Sequence, residues 1–416
     1  GYIQLMNEVD TAVFYGNGEI TGSNQFNKLT FSAGKKYTFE ADSTQTIVDR
    51  WTANGNCQGS IIIQSDLPGR ETYVRKVNGP VELDYVSVRD VHALGQTPFK
   101  ATNAIDLGNN TNWEFTQPAP LGLYWVNGTG NWDDPNHWAA YSGGPGNYCV
   151  PKEIDNVYFD ENSFDKVNDT VFVNVDNAVC KSMYWTGSED WEPIFIGPDT
   201  NALTIYGSLI MNPDMTNGFA GPVYFEEIAG KSGGKADADT VWTFGKTFLN
   251  NTFFQGIGDK WQFLSDFNSE MNIYLVHGHL IFGENNIGCS RFLSDYENNR
   301  ILDISNSTVS MNIINFDAWY VNAINLDLMA DNSLLVASGF ACHIKNENGD
   351  YLQFNDIRVD GLNAGIYNYS NTVEYNNIEF NNDLGHIRGN FIVDDIRFYG
   401  DNCSMYDYSE TDVAIF

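Results

Sequence analysis

Three groups of residues have side chains and spacings suited to chemistry. The first is the run Tyr124-Trp125-Val126-Asn127-Gly128-Thr129-Gly130-Asn131-Trp132-Asp133-Asp134-Pro135-Asn136-His137-Trp138. Its tryptophans could stack on the apolar face of a pyranose. They could equally cover the open end of a β-structure, whose unpaired strand edge must be blocked. Covering is the reading preferred here for Trp125, Trp132 and Trp138. Asp133 and Asp134, beside Asn131 and Asn136, offer the hard oxygen ligands calcium takes, but their spacing is that of neither an EF-hand loop nor a calcium-binding nonapeptide repeat. A solvated turn is the alternative. The second group is His277-Gly278-His279, two imidazoles on one face of a strand with no third ligand in view. The third is Asp394-Asp395, near Arg388 and Arg397. Paired carboxylates serve glycoside-cleaving enzymes, but adjacent residues of a strand point to opposite faces, so these two cannot act together. No catalytic residue, cofactor or confident metal site is assigned, and a non-enzymatic protein is expected.

The six cysteines bear on the compartment. Cys149 and Cys180 flank a turn-rich stretch, and a disulfide between them would staple it; two buried free thiols are the alternative. An oxidising, extracellular setting follows if the pair forms. Cys57, Cys289, Cys342 and Cys403 stand alone without CxxC spacing, which argues against zinc, and their pairing is left open.

The elements that must position these residues are strands. From Asn27 onward, apolar residues recur at every second position for three to five residues before Gly, Asn or Asp intervenes, as in Leu29-Thr30-Phe31, Tyr37-Thr38-Phe39 and Val81–Val88. That is the period of half-buried strands between turns. Beyond Cys180 the strands come in doublets around a Gly, Asn or Asp corner: Leu203–Ile210, Val241–Leu249, Ile301–Met311, Ile324–Val336, Tyr351–Val359, Val373–Phe380 and His386–Val393. Their spacing of roughly 20 to 25 residues lies in the range of solenoid repeats. One such unit cannot bury its own apolar face, but coiling sets each strand beside its equivalent one turn on. The expected fold is all-β: right-handed parallel β-helix (solenoid) modules with a turn-rich, Trp-containing cap between them. A pair of β-sandwiches is the rival. The divisions expected are residues 1–117 for the last rungs of a first β-helix and 118–122 for a linker. Residues 123–190 would form the cap and start of a second module, and 191–416 its body.

The chain carries 54 acidic against 22 basic side chains, a formal charge of −32. Nucleic-acid binding, which needs clustered Lys and Arg, is excluded as an expectation. No run of about 18 apolar residues is present to span a membrane as a helix. No charged and apolar leader is visible at Gly1, so the chain is either cytosolic or an interior piece of something longer.

Several stretches resemble the repeat modules of very large cell-surface proteins of Bacteroidota. Asn27–Phe39, Ser60–Ser65 and Ala101–Trp113 resemble the end of one module. Trp125–Trp138, Gly143-Gly144-Pro145-Gly146, Cys149-Val150-Pro151, Asp155–Asp160 and Met183–Gly187 resemble the start of the next. The resemblance covers most of residues 20 to 225 and implies a secreted adhesin exported by the type IX system, of the SprB-like gliding-motility kind. It implies an extracellular, outer-membrane-associated location, with a surface or glycan and the secretion and gliding machinery as partners. It also implies O-glycosylation, because Asp10-Thr11-Ala12, Asp169-Thr170-Val171 and Asp239-Thr240-Val241 resemble the Asp-Thr-apolar acceptor of that group, with Thr11, Thr170 and Thr240 as acceptors. The rival function is a carbohydrate-binding or polysaccharide-degrading β-helix protein. Exposed coplanar aromatics away from the cap would favour glycan binding, and a groove with three or more converging ionisable groups would favour an enzyme.

Overall fold

Strands take 53% of the chain and helix 2%, wound into a parallel β-solenoid of about 17 turns. The computed structural model describes residues 1–4, 7–228, 237–349, 351–406 and 409–415. Its strands pair in parallel with equivalents one turn away, which rules out the sandwiches: those are built from antiparallel neighbours. No helix among the described residues is long and apolar enough to cross a membrane. Two compact units divide the chain, Gly1–Gly207 with a short segment from Glu226, and Ser208–Phe225 with the chain that follows that segment.

In the first unit, six short strands from Tyr2–Ile3 to Ile105–Gly108 form one parallel sheet, five from Glu8–Phe14 to Val91–Leu94 a second, and three from Glu82–Asp84 to Trp113–Thr116 a third. The alternation read from the sequence appears as burial. In Asn24–Phe31 the residues Phe26, Leu29 and Phe31 point inward and Gln25, Lys28 and Thr30 do not. Two strands break the rule, because every residue of Ile61–Ser65 and of Val86–Arg89 is buried. Both of their faces are covered, as in a sheet packed on two sides.

What covers the outer face is the region from Gly122 onward. Ile62, Ile105 and Leu107 pack with Ile154, Val179 and Tyr206. Lys35 pairs with Asp176 at 2.5 Å, and the buried Arg89 donates to the buried Glu226 at 2.5 Å. Burial opposes the charge of Arg89, but Glu226, Tyr206 and Asp90 outweigh it and raise its pKa. Of residues 118–122, expected to be a linker, 118–121 form no strand and Gly122 opens one, and the compact unit runs through them.

The expected Cys149–Cys180 disulfide is corrected. Cys149 bonds to Cys57, 92 positions away, with Cα atoms 5.0 Å apart. The reason is topological. Cys180 ends the strand Asn177–Cys180, which pairs in parallel with Ala202–Ile205, and its side chain faces the core with a thiol pKa raised by burial. Cys149 lies in an irregular stretch whose neighbour Val150 donates to the carbonyl of Cys57 at 3.2 Å. The bond therefore ties the first solenoid to the residues after Gly122. Cys289 and Cys342 are buried free thiols, and Cys403 is a half-buried one.

In the second unit the turns as far as Met329 give strands to three parallel ladders, and the later turns run as the long strands Tyr351–Val359, Gly365–Phe380 and His386–Phe398. One runs from Leu209–Ile210 to Leu326–Met329, a second from Thr247–Phe248 through Leu334–Ala337 to Tyr351–Val359, and a third from Val223–Phe225 to Ser404–Tyr406. Inward rings stack turn on turn, with Phe225 on Phe254 at 4.8 Å and Phe292 on Trp319 at 4.8 Å. Corners use residues that tolerate left-handed backbone: Asn306, Asn325, Asn332 and Asn363 all have positive φ. Asn side chains also bridge turns, as Asn377 does to Asp356 at 2.7 Å and Asn381 to Asp360 at 2.7 Å.

Candidate functional site

The third ladder of the second unit carries a column of side chains in continuous register, half-exposed or exposed except at the buried Leu293. Tyr224 pairs with Phe253, Phe253 with Tyr274, Tyr274 with Leu293 and Leu293 with Tyr320. The column continues through Lys345, Tyr367, Arg388 and Tyr406. Parallel in-register pairing superimposes equivalent side chains at the strand spacing of about 4.8 Å. Tyr224 stacks on Phe253 with centroids 4.7 Å apart, and Phe253 on Tyr274 at 4.5 Å. From Tyr320 onward aromatic and cationic residues alternate, so an aromatic ring returns at every second turn.

The column is stiffened from both sides. Lys345 Nζ lies 2.7 Å from Glu347 Oε1 and 4.6 Å from the centroid of the Tyr320 ring. The Tyr320 hydroxyl donates to Glu347 Oε2 at 2.6 Å. Hydrogen bonds from Lys345 and Tyr320 hold the Glu347 carboxyl below the usual carboxylate range, while burial and the acceptor Glu347 push the Tyr320 phenol up. Burial works against the charge of Lys345, but Glu347 outweighs it and raises its pKa. On the other flank His343 Nδ1 sits 3.4 Å from Asp317 Oδ1, and the His343 ring meets Tyr367 edge-on at 4.8 Å. Tyr367 Oη lies 2.8 Å from His386 Nε2, and His386 Nδ1 lies 3.1 Å from the carbonyl of Leu384. In the neutral ring the proton therefore sits on Nδ1, and Nε2 accepts from the phenol. Tyr369, 52% exposed, lies parallel to Tyr367 at 6.2 Å.

The end of the column opens into a concave site of about 500 Å³ lined by Asn363, Tyr367, Leu384, His386, Arg388, Asn402, Ser404 and Tyr406. A shorter outward ladder occupies the first unit, where Tyr124 stacks on Tyr158 at 4.8 Å and Tyr158 on Tyr184 at 5.2 Å.

Comparison with protein-family models, with curated proteins and with solved structures gives no match.

The residues singled out in the sequence lie elsewhere. Trp125, Trp132 and Trp138 are buried and meet as edge-to-face pairs, with centroids 5.1 Å and 5.0 Å apart. Two of the indole N–H groups are spent locally, that of Trp125 on the carbonyl of Gly128 and that of Trp138 on the carbonyl of Trp132. No ring face is left for a sugar. The two-residue strand Trp138–Ala139 pairs antiparallel with Gly122–Trp125 and ends that sheet, covering an edge that would otherwise be open. Asp134 caps a short 3₁₀ turn by accepting from the Asn136 N–H, and Asp133 accepts from the Asn174 side chain at 2.7 Å. Among the described residues no three His, Cys, Asp or Glu side chains converge as a metal site.

Thr11 is exposed, whereas Thr170 and Thr240 are half-buried on strands. Asp169, the partner of Thr170 in the acceptor pattern, accepts from Thr129 and from the N–H groups of Asp165 and Lys166. Asp395 pairs with Arg397 rather than with Asp394. The column went unread in the sequence because its members come from nine strands separated by turns of unequal length. Alternation alone marks Tyr274 or Tyr367 only as outward.

Proposed function

We propose that this chain is a structural and adhesive segment of a secreted surface protein, and that its adhesive face is the outward aromatic column from Tyr224 to Tyr406. The column carries the reading. Flat rings held in register by hydrogen-bonded strands offer a linear, pre-organised surface to a linear partner, and pre-organisation lowers the ordering cost of binding. A polysaccharide is the partner that suits it, because the outward edges of the stacked rings and the rings that return at every second turn give a linear apolar track for sugar C–H groups, whose hydroxyls reach the flanking Asn, Glu, His and Ser side chains. The resemblance of residues 20 to 225 to modules of giant gliding-motility adhesins supports a role in attachment. The Cys57–Cys149 disulfide is in keeping with an oxidising, extracellular setting.

Binding is favoured over cleavage because the acids beside the column are engaged. Glu347 is held by Lys345 and Tyr320, and Asp317 by His343. Glycoside hydrolysis needs one carboxyl kept protonated as an acid and a second poised across the scissile bond. The test is affinity electrophoresis and calorimetry of the intact chain against a panel of soluble polysaccharides, with an assay for new reducing ends. Retention by at least one polymer, lost in a Tyr274→Ala, Tyr320→Ala, Tyr367→Ala triple variant, is the expected result. Release of reducing ends would replace the adhesive reading by an enzymatic one.

A further inference from the structure

The second unit carries an apolar stripe that the aromatic column does not use. At one corner of the winding, Ile314, Phe340 and Leu362 hold equivalent positions on successive turns. The amide of Asn315 donates to the carbonyl of Phe340 at 2.9 Å, and that of Ala341 to the carbonyl of Leu362 at 2.9 Å. The same register runs on into acid: the Asn363 amide donates to the carbonyl of Asp383 at 3.0 Å, and the Leu384 amide to that of Asp401 at 2.9 Å. Asn315, Ala341, Asn363 and Leu384 all have positive φ, so each turn takes the same left-handed corner. Ile314, Phe340, Leu362 and the neighbouring Phe316 are between 41% and 59% exposed, and Asp383 and Asp401 are exposed as well. Single exposed apolar residues are ordinary, but a row of them ending in two aspartates is a patch with a direction.

The corner's geometry says what would cover it. Its amides are already spent on the next turn, so a partner must meet it through side chains rather than by adding a strand. One turn of the solenoid advances about 4.8 Å and one turn of an α-helix about 5.4 Å. A helix lying along the stripe therefore sets one side chain per turn against each corner residue, and ~19 Å from Ile314 to Asp401 takes about 13 helical residues. Charge fixes the rest, because the end over Asp383 and Asp401 must be basic. A second copy fits badly. Two stripes in parallel set aspartate against aspartate, and antiparallel ones lay Asp401 on Ile314 and Asp383 on Phe340, burying charge without a partner. The formal charge of −32 on each copy adds to the repulsion.

We infer that the corner from Ile314 to Asp401 is a docking site for an amphipathic α-helix of a partner protein, with apolar side chains over Ile314, Phe340 and Leu362 and Lys or Arg over Asp383 and Asp401. This goes beyond the glycan reading of the column and does not depend on it.

The experiment measures fluorescence anisotropy of a labelled helical peptide of about 14 residues against the intact chain, with Leu on one face of its first half and Lys on that face of its second. Two control peptides replace the Leu by Ser or the Lys by Glu. Variants Phe340→Ser, Leu362→Ser and Asp383→Asn, Asp401→Asn alter only exposed side chains, and their thermal unfolding is matched to the parent. Expected is saturable binding of the Leu-Lys peptide, at least ~10-fold weaker in the Ser double variant, as for apolar side chains no longer buried. The Asn double variant should bind about 3-fold less well, a difference that fades at high salt. Polysaccharide binding should be the same in the Ser double variant as in the parent. Failure of the Leu-Lys peptide to bind, or equal binding to the Ser double variant, overturns the docking site. Equal binding of the Leu-to-Ser peptide overturns it in favour of plain charge attraction, and equal binding of the Lys-to-Glu peptide removes the acidic end from the site. A dimer in sedimentation that the Ser double variant dissolves replaces the helix by a second copy. Adhesion to phosphatidylcholine vesicles that the same variant abolishes replaces it by a membrane.

Discussion

The tryptophan cap in the first unit and the column in the second are both built on aromatic residues, and they use them in opposite ways. Trp125, Trp132 and Trp138 turn inward and lie edge to face, and Trp125 and Trp138 spend their N–H groups on nearby carbonyls. Tyr224, Phe253 and Tyr274 turn outward and lie flat on one another across turns. Edge-to-face packing suits a cluster that fills a volume, whereas parallel stacking is what in-register strands impose on a surface. The difference teaches that residue type says little here about role. Which side of the strand a ring leaves from, and whether its neighbour one turn away is also a ring, decides between a plug and a platform.

That contrast makes ordered predictions. Trp138→Ala should destabilise the first unit by about 3–5 kcal/mol, the range for emptying a buried aromatic site, seen as an earlier chemical-denaturation transition. A loss below about 1 kcal/mol would mean that the cluster does not fill a core. Removing the Cys57–Cys149 bond in a Cys57→Ser, Cys149→Ser variant should cost about 2–4 kcal/mol in the first unit while leaving polysaccharide binding by the column unchanged. Concurrent loss of binding would show that the two regions are not independent.

A pH titration of stability probes the first unit further. Glu153 is fully buried, its carboxyl oxygens make no hydrogen bond of good geometry, and burial raises its pKa above the usual carboxylate range against a smaller lowering by the Ser87 hydroxyl. A group whose folded pKa is raised contributes stability that is fully present below its unfolded pKa and is lost as pH rises through the folded one. Stability of the first unit should therefore fall as pH climbs above the ordinary glutamate range. Glu153→Gln should flatten that fall and gain about 1–3 kcal/mol at pH 8, the cost of an unsatisfied buried group; an unchanged pH profile would put the titration elsewhere. Smallest in stability is Tyr274→Ala, at about 0.2–1 kcal/mol, the scale of one cross-strand pair. Its effect should appear in glycan affinity instead, which reverses the pattern expected of Trp138→Ala.

Much of the fold was legible in the sequence because a solenoid repeats one local rule. Leu29, Phe31, Tyr37 and Phe39 alternate with polar residues, and Asn and Gly collect at corners, so both the strands and their coiling follow from period and spacing. The disulfide was not legible: proximity in sequence favoured Cys180, while the fold brings Cys57 to Cys149 by packing the flank of one solenoid on the start of the next stretch. Ile61-Ile62-Ile63 carried a signal of that packing, since an unbroken apolar run marks a strand covered on both faces. The column was legible only as separate outward residues. Its register depends on turns of unequal length, such as the 21 residues between Phe253 and Tyr274 and the 27 between Leu293 and Tyr320, and no local pattern fixes those.

The bond between Cys57 and Cys149 has a mechanical consequence. Tension applied to the backbone on either side passes through the two sulfur atoms and bypasses the residues between them. Those residues, drawn out at about 3.4 Å each, amount to roughly 300 Å of contour that a pull cannot release while the bridge is intact. A chain pulled from its two ends would unfold only outside the bridged segment, before Cys57 or beyond Cys149, and would keep that segment in reserve until a reductant opened the bond.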